Sequence, residues 1–388
     1  MDTLDILDTL LSFDTTSVNP NRSLIDFVQE RLNDVGAHVQ IIEAPEGGKA
    51  NLYATIGPTD KPGVLLSGHT DVVPVDGQDW SVPPFAMTVK DGRAYGRGAA
   101  DMKGFVACAL SAAIKASRQS LETPLHLAFS YDEEIGCVGV RSIIDMLAAA
   151  PFRPSFCIVG EPTSLAIATG HKGKTACRVV CTGRAAHSAL APTGLNAIHL
   201  ATDFIAALRE LQLRLATTGS MDDDYDVPYT TVHVGKITGG MALNIVPDHC
   251  ELLFEIRNLA QDDPEVLLAE IKDIAARIAT AEQARVRDAA IEIEVFNTYP
   301  GLDTAMDAQI VSFMRSLTDA NHTMKVAFGT EGGLFSSRLG IPTVVCGPGS
   351  MEQGHKADEF VSLEQLERCD TMLGRLVTML QSGSVNCE

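Results

Sequence analysis

The chain has 388 residues, with 30 Lys and Arg against 50 Asp and Glu and a formal net charge of -20. That length suffices for one large or two ordinary domains, and 45% hydrophobic with 21% charged residues is a globular balance that excludes long disordered or fibrous stretches. The acidic excess, with no cluster of Lys and Arg, opposes a nucleic-acid partner.

Met1 to Phe13 (MDTLDILDTLLSF) carries acids and no base ahead of its apolar positions, unlike a secretory signal. The longest strongly apolar run, Phe105 to Ile114, is too short to span a membrane. Nine scattered cysteines without a C-x-x-C pair suit neither a disulfide framework nor a thiolate zinc cage, so a reducing cytoplasm is the expected location.

In chain order, residues 1 to about 35 read as helical, with Ser23 capping SLIDFVQERLNDVG and Gly36 ending it. An α/β texture follows. Apolar runs at 64–71 (VLLSGHTD), 125–134 (LHLAFSYDEE), 155–162 (SFCIVGEP) and 342–350 (PTVVCGPGS) hold few internal charges and predict strands covered on both faces. The Ala-rich segment opening at Asp101 (DMKGFVACALSAAIKAS) predicts a helix between the first two. From 174 to 300 the order is strand (TACRVVCTG), helix, strand (YTTVHVGKI), strand (CELLFEIRNL), helix, strand (IEIEVFNTY), the ferredoxin-like split unit. Its strands alternate, as a sheet covered by helices on one face requires. The α/β texture resumes near Gly301. The expected fold class is therefore α/β. A discontinuous domain (1–173 and 301–388) is expected to have a mixed, mostly parallel sheet flanked by helices, and a smaller ferredoxin-like α+β domain (174–300) to interrupt it.

Each buried-strand run is followed at its carboxyl end by a metal-competent residue: His69, the pair Glu133 and Glu134, Glu161, and a little later His355. Carboxyl ends of strands form the ligand crevice of open α/β sheets, and Asp101, at the start of a helix, shares that edge. Five such ligands exceed what one tetrahedral zinc needs and point to two cations sharing a carboxylate. Such a pair, roughly 3.5–4 Å apart, holds and acidifies a water and polarises a carbonyl, which is hydrolytic chemistry. Asp71, two residues after His69, is spaced to take the imidazole's other N–H. Glu133 and Glu134 point different ways at a strand end, so one can ligate and the other accept a proton, and spacing does not say which.

Taken singly these residues have plainer explanations. Asp101 suits a helix N-cap, GRAAHS around His187 suits a turn, Arg257 suits a solvent-facing strand position, and His171, His199, His233 and His249 carry no chemical context. GRGAAD (96–101) lacks the third glycine of a dinucleotide fingerprint, and ATGHKGKT (168–175) lacks the first glycine of a phosphate loop. No G-x-S-x-G or H-E-x-x-H occurs, against serine-type or thermolysin-like hydrolysis.

The ordered set SGHTDVVP, GRGAADMKG, YDEEIG, GEPT, GRAAHS, NIVP and GPGSMEQGHKADEFV resembles, over nearly the whole chain, the co-catalytic dinuclear metallopeptidase family of acylases, desuccinylases and carboxypeptidases. YDEEIGCVGVRSI, TEGGLF and VVCGPGSMEQGHKADEF are most similar to its acetylornithine deacetylase branch. Gly332 and Gly354 stand where that branch has alanine. The resemblance implies His69 and Glu161 on one divalent cation, Glu134 and His355 on the other, Asp101 bridging, and Glu133 as general base. It implies that His187 works on the oxyanion in a partner subunit's site, while Asn244 and Arg257 hold the substrate's carbonyl and carboxylate; a guanidinium pairs a carboxylate bidentately. It further implies a homodimer through the inserted domain, acting also as a lid, zinc or cobalt as the cations, and hydrolysis of an N-acyl amino acid, acetyl first, with desuccinylase or carboxypeptidase activity as the alternative.

Overall fold

The computed structural model describes residues 2–318, 320 and 322–384. They form two compact units. One comprises the described residues up to Gly170, Leu302–Val326 and those from Thr330 onward; the other comprises His171–Gly301 with Ala327–Gly329.

The first unit begins with α1 (Thr3–Ser12), α2 (Arg22–Asn33), β1 (His38–Glu43), β2 (Ala50–Ile56), β3 (Val64–His69), β4 (Thr88–Lys90), β5 (Arg93–Tyr95), α3 (Lys103–Ala116), β6 (Leu125–Ser130), α4 (Val140–Ala149), β7 (Phe156–Pro162) and β8 (Ile167–His171). The second unit holds β9 (Lys174–Thr182), β10 (Ala186–His187), α5 (Ala197–Thr218), β11 (Thr231–Gly239), β12 (Ile245–Val246), β13 (His249–Arg257), α6 (Pro264–Gln283) and β14 (Ala290–Tyr299). The chain then returns with β15 (Leu302–Asp303), α7 (Gln309–Thr318), β16 (Thr323–Val326), α8 (Gly332–Leu339), β17 (Thr343–Gly347), β18 (Phe360–Ser362) and α9 (Leu363–Gln381).

The main sheet of the first unit runs β1-β2-β6-β3-β7-β17-β8-β15, with β16 beside β8. Its centre, β6-β3-β7-β17, is parallel, and its flanks are antiparallel. All four central strands are buried along their length, which is why they read as continuous apolar runs. Helices α1, α2, α3, α7 and α9 pack among themselves, whereas α4 packs on α8, so separate helix layers cover the sheet. Small side chains along α3 let its neighbours approach closely. One close contact with α3 is at Gly160 in β7, where a Cβ would lie 1.9 Å from the Phe105 ring.

Two local expectations change. The N-terminal region is two helices, and α2 starts after Asn21 rather than at a Ser23 cap. Asn21 makes no capping bond because its amide is engaged elsewhere, with Ala50 and the Thr70 hydroxyl. Gly36 does end the segment, at φ 74°, a conformation glycine adopts without penalty. Helix α3 starts at Lys103 with Met102 at the N-cap and no side-chain cap, which leaves the Asp101 carboxylate for other partners.

In the second unit the strand order is β11-β13-β9-β14, antiparallel throughout. That is the arrangement of a β-α-β-β-α-β unit. Helices α5 and α6 are capped by Asn196 and Asp263 and pack with the inward residues of β9 and β13, among them Cys177, Val179, Leu252 and Phe254. Where the chain enters and leaves, Gly173 and Gly301 lie side by side: a Cβ on Gly301 would sit 2.8 Å from the His171 oxygen and 3.0 Å from the Gly173 nitrogen.

Candidate metal centre

His69 is the last residue of β3 and is 1% exposed. Its Nδ1 lies 2.9 Å from the Asp71 carbonyl oxygen. A carbonyl can only accept, so Nδ1 carries the proton and Nε2 faces the interior of the site. There Nε2 is 3.1 Å from Asp101 Oδ1 and 3.7 Å from Glu161 Oε1. The Asp71 carboxylate, expected on the imidazole, stays 3.6 Å away. It accepts instead from Ser17 Oγ (2.7 Å), Glu133 N (3.0 Å) and Glu134 N (3.2 Å). It thereby fixes the main chain that carries the paired acids.

Across the site, His355 Nε2 is 3.1 Å from Asp101 Oδ2 and 3.1 Å from Glu134 Oε2. Asp101 thus presents one oxygen to each imidazole. Donor atoms of His69, Asp101 and Glu134 lie within 4.8 Å of one another, as do those of His69, Glu133 and Glu161. The structure therefore gathers all five expected ligands and Glu133 at the carboxyl edge of the parallel strands. The last of them, His355, sits on a loop with φ 60°.

Burial and mutual repulsion dominate the electrostatics. Burial, aided by the charge of Glu134 and opposed by His69, pushes Glu133 up to about 8. Burial and the charge of Asp101 push Glu134 up to about 7. Glu161 is raised well above the carboxylate range by burial and Asp101. Burial also works on Asp101, but its bonds to His355 and His69 outweigh it and hold the group below the ordinary range. His355 is raised to about 10 by Asp101 and Glu134. So much buried negative potential around two imidazoles calls for cations. The donors are oxygen and imidazole nitrogen with no thiolate, a set suited to zinc, cobalt or manganese. This fits divalent metal binding.

Several residues at the site escaped the sequence reading. Glu331, from TEGGLF, is buried under the strand ends and accepts from the hydroxyls of Ser67 and Ser130; burial pushes it up to about 7. Cys137 turns back at φ 53° to place its sulfur 3.2 Å from Glu133 Oε1. Lys49 Nζ donates to Asp132 (2.6 Å) and to the Ser17 carbonyl (2.6 Å). Arg97 and Glu359 form a buried ion pair at 2.6 Å. Glu331, Asp132 and Cys137 lie in TEGGLF and YDEEIGCVGVRSI, and Arg97 and Glu359 in GRGAAD and HKADEF, but nothing in those segments says what each residue touches.

The remaining expected residues belong to the second unit. His187 is exposed on β10, and its Nδ1 accepts from Ala189 N. β10 pairs with β12, and Ser188 N donates to the Asn244 carbonyl, so His187 and Asn244 are neighbours. Arg257 stands apart on β13, donating to Glu255 (3.0 Å) and the Tyr299 hydroxyl (3.1 Å). Its position is a partnered one, not a free solvent-facing one.

The profile described as Peptidase family M20/M25/M40 matches residues 65–379. The chain is 35% identical over 385 residues to an acetylornithine deacetylase of Myxococcus xanthus, covering 97% of each chain. It is 34% identical to that of Proteus mirabilis, covering 94% of this chain and 91% of the relative. Its fold is similar to an M20 family metallo-carboxypeptidase from Sulfolobus solfataricus (TM-score 0.80, 19% identity, 98% and 100% of the two chains). It is also similar to a tripeptidase from Staphylococcus aureus (TM-score 0.78, 22% identity, 98% of each). The chain belongs to Peptidase family M20/M25/M40 and is a hydrolase.

Proposed function

We propose that the chain removes the acetyl group from an N-acetyl amino acid, with N2-acetyl-L-ornithine as its substrate and L-ornithine and acetate as products, a cytoplasmic step of arginine biosynthesis. The observation that carries this reading is Asp101 set between two imidazoles, one oxygen 3.1 Å from each. The names of relatives at 34–35% identity support the substrate. On this reading His69 and Glu161 would hold one zinc or cobalt ion, Glu134 and His355 would hold the other, and Asp101 would serve both. When bound, the ions polarise the amide carbonyl and acidify the attacking water.

Glu133 takes the water's proton as attack proceeds and returns it to the departing amine, and its raised pKa suits both steps near neutral pH. The Asp71 carboxylate steadies the Glu133 and Glu134 amides, and its carbonyl fixes the His69 tautomer. His187, contributed across a homodimer built through the second unit, donates to the developing oxyanion. Asn244 and Arg257 bind the substrate's carbonyl and carboxylate. A hydrolysis screen with zinc or cobalt supplied tests the reading. The highest kcat/KM is expected on N2-acetyl-L-ornithine, and a preference for N-succinyl-diaminopimelate or short peptides would reassign the acyl pocket.

A further inference from the structure

The loops that carry Asp101 and His355 are cross-tied by one buried ion pair. Glu359 is 1% exposed. Its Oε1 accepts from Ala100 N (2.9 Å) and Asp101 N (3.0 Å), and its Oε2 accepts from Gly98 N (3.0 Å) and Arg97 Nη1 (2.6 Å). The following residues continue the tie, because β18 pairs with β5. Arg97, also 1% exposed, reaches in the opposite direction. Nη1 lies 3.3 Å from the Lys356 carbonyl, and Nη2 donates to Gln78 Oε1 (2.5 Å), whose amide donates to the His355 carbonyl (3.0 Å). The guanidinium also lies 5.0 Å from the Trp80 ring centre. Glu359 therefore holds the main chain of Asp101, and Arg97 holds the main chain of His355.

We propose that Arg97 and Glu359 are positioning residues that set the separation of two cation sites by locking the Asp101 loop to the His355 loop. This rests on the two-cation reading above. His69 is fixed by β3 and by the Asp71 carbonyl, so its side of Asp101 does not need the tie. His355 has no strand beneath it, and its 3.1 Å approach to Asp101 Oδ2 depends on the two loops staying in register. Weakening the Arg97 arm, through Gln78, should loosen the cation held by Glu134 and His355 and spare the one held by His69 and Glu161, whereas weakening the Glu359 arm disturbs Asp101, which both cations share. A pair that served folding alone would lower the melting temperature and leave both affinities unchanged.

Chelated wild type, Glu359→Gln and Gln78→Ala are titrated with cobalt(II) by calorimetry, and the visible cobalt bands are recorded. In Gln78→Ala one of two sites is expected to weaken by about 10- to 100-fold, the usual cost of losing support behind a ligand, with a changed band for that cobalt and the second affinity retained; in Glu359→Gln both are expected to weaken. Removing one partner of a buried pair can unfold a protein, and if Glu359→Gln does not fold, Gln78→Ala, at a half-buried position, decides alone. Folded variants that keep both wild-type affinities, or a Gln78→Ala chain that loses both equally, overturn the proposal while leaving the two-cation reading standing. A wild-type chain that takes up fewer than two cobalt ions overturns that reading and the proposal together.

Discussion

Chelating the cations should make the stability of the protein fall as pH rises from 5 to 8. Glu134 ionises at about 7 in the folded chain against an ordinary 4.5, because it is buried and faces Asp101. A carboxyl whose folded pKa is raised binds more protons folded than unfolded, so its stability share is present at low pH and is lost as pH climbs through the folded value. His355, whose pKa is raised by Asp101 and Glu134, acts in the same direction at higher pH. Asp101, shifted down, matters only under acid conditions outside this window. For Glu134 alone the cost at full ionisation is about 3 kcal/mol, reduced by whatever water the emptied site admits. At about 2–4 °C per kcal/mol for a body of this size, the chelated protein should melt roughly 6–12 °C lower at pH 8 than at pH 5, relative to cation-loaded protein. Differential scanning fluorimetry of both forms across that range measures the gap. A gap that stops growing below pH 6 would mean that these acids titrate at ordinary values, and the buried-cluster argument would fail.

Glu133→Gln should lower kcat by about 10²- to 10⁴-fold, the share of a general base, with metal content by elemental analysis unchanged; retained turnover removes Glu133 from the role. His187→Ala should lose about 10²- to 10³-fold in kcat. If His187 serves a partner's site, co-expressing His187→Ala with Glu133→Gln should restore about a quarter of wild-type activity, since half of randomly paired dimers hold one intact site; no recovery would count against action across the dimer. Gly160→Ala forces a Cβ to within 1.9 Å of the Phe105 ring, and should cost about 1–3 kcal/mol by overpacking, measured by urea denaturation; an unchanged midpoint would refute the packing argument.

The parts legible in sequence were those with a local signature. Strands covered on both faces must be apolar throughout, so Val64–His69 and Phe156–Pro162 were plain, and so were His69 and Glu161 at their carboxyl ends. The alternation in His249–Arg257 likewise exposed the β-α-β-β-α-β order. The break between α1 and α2 was not legible, because its loop is stabilised from afar: Thr15 Oγ1 donates to the Thr70 carbonyl and Ser17 N to the Val72 carbonyl. The partner of His69 was misread for a related reason. A main-chain carbonyl leaves no trace in residue identity, whereas an aspartate two positions away invites assignment. Glu359, 258 residues from Asp101 in the chain, and Glu331, 201 from Ser130, are unreachable by any spacing rule.

The abutting glycines at the neck of the second unit carry an evolutionary consequence. Because the chain departs at Gly173 and comes back at Gly301 within touching distance, that whole module could be exchanged, enlarged or trimmed while the strands aiming the acid and imidazole groups kept their course. Selection can then alter that cassette while the cluster of acids and imidazoles on the strand ends stays as it is, a route by which one ancestral hydrolase diversifies without rebuilding that cluster.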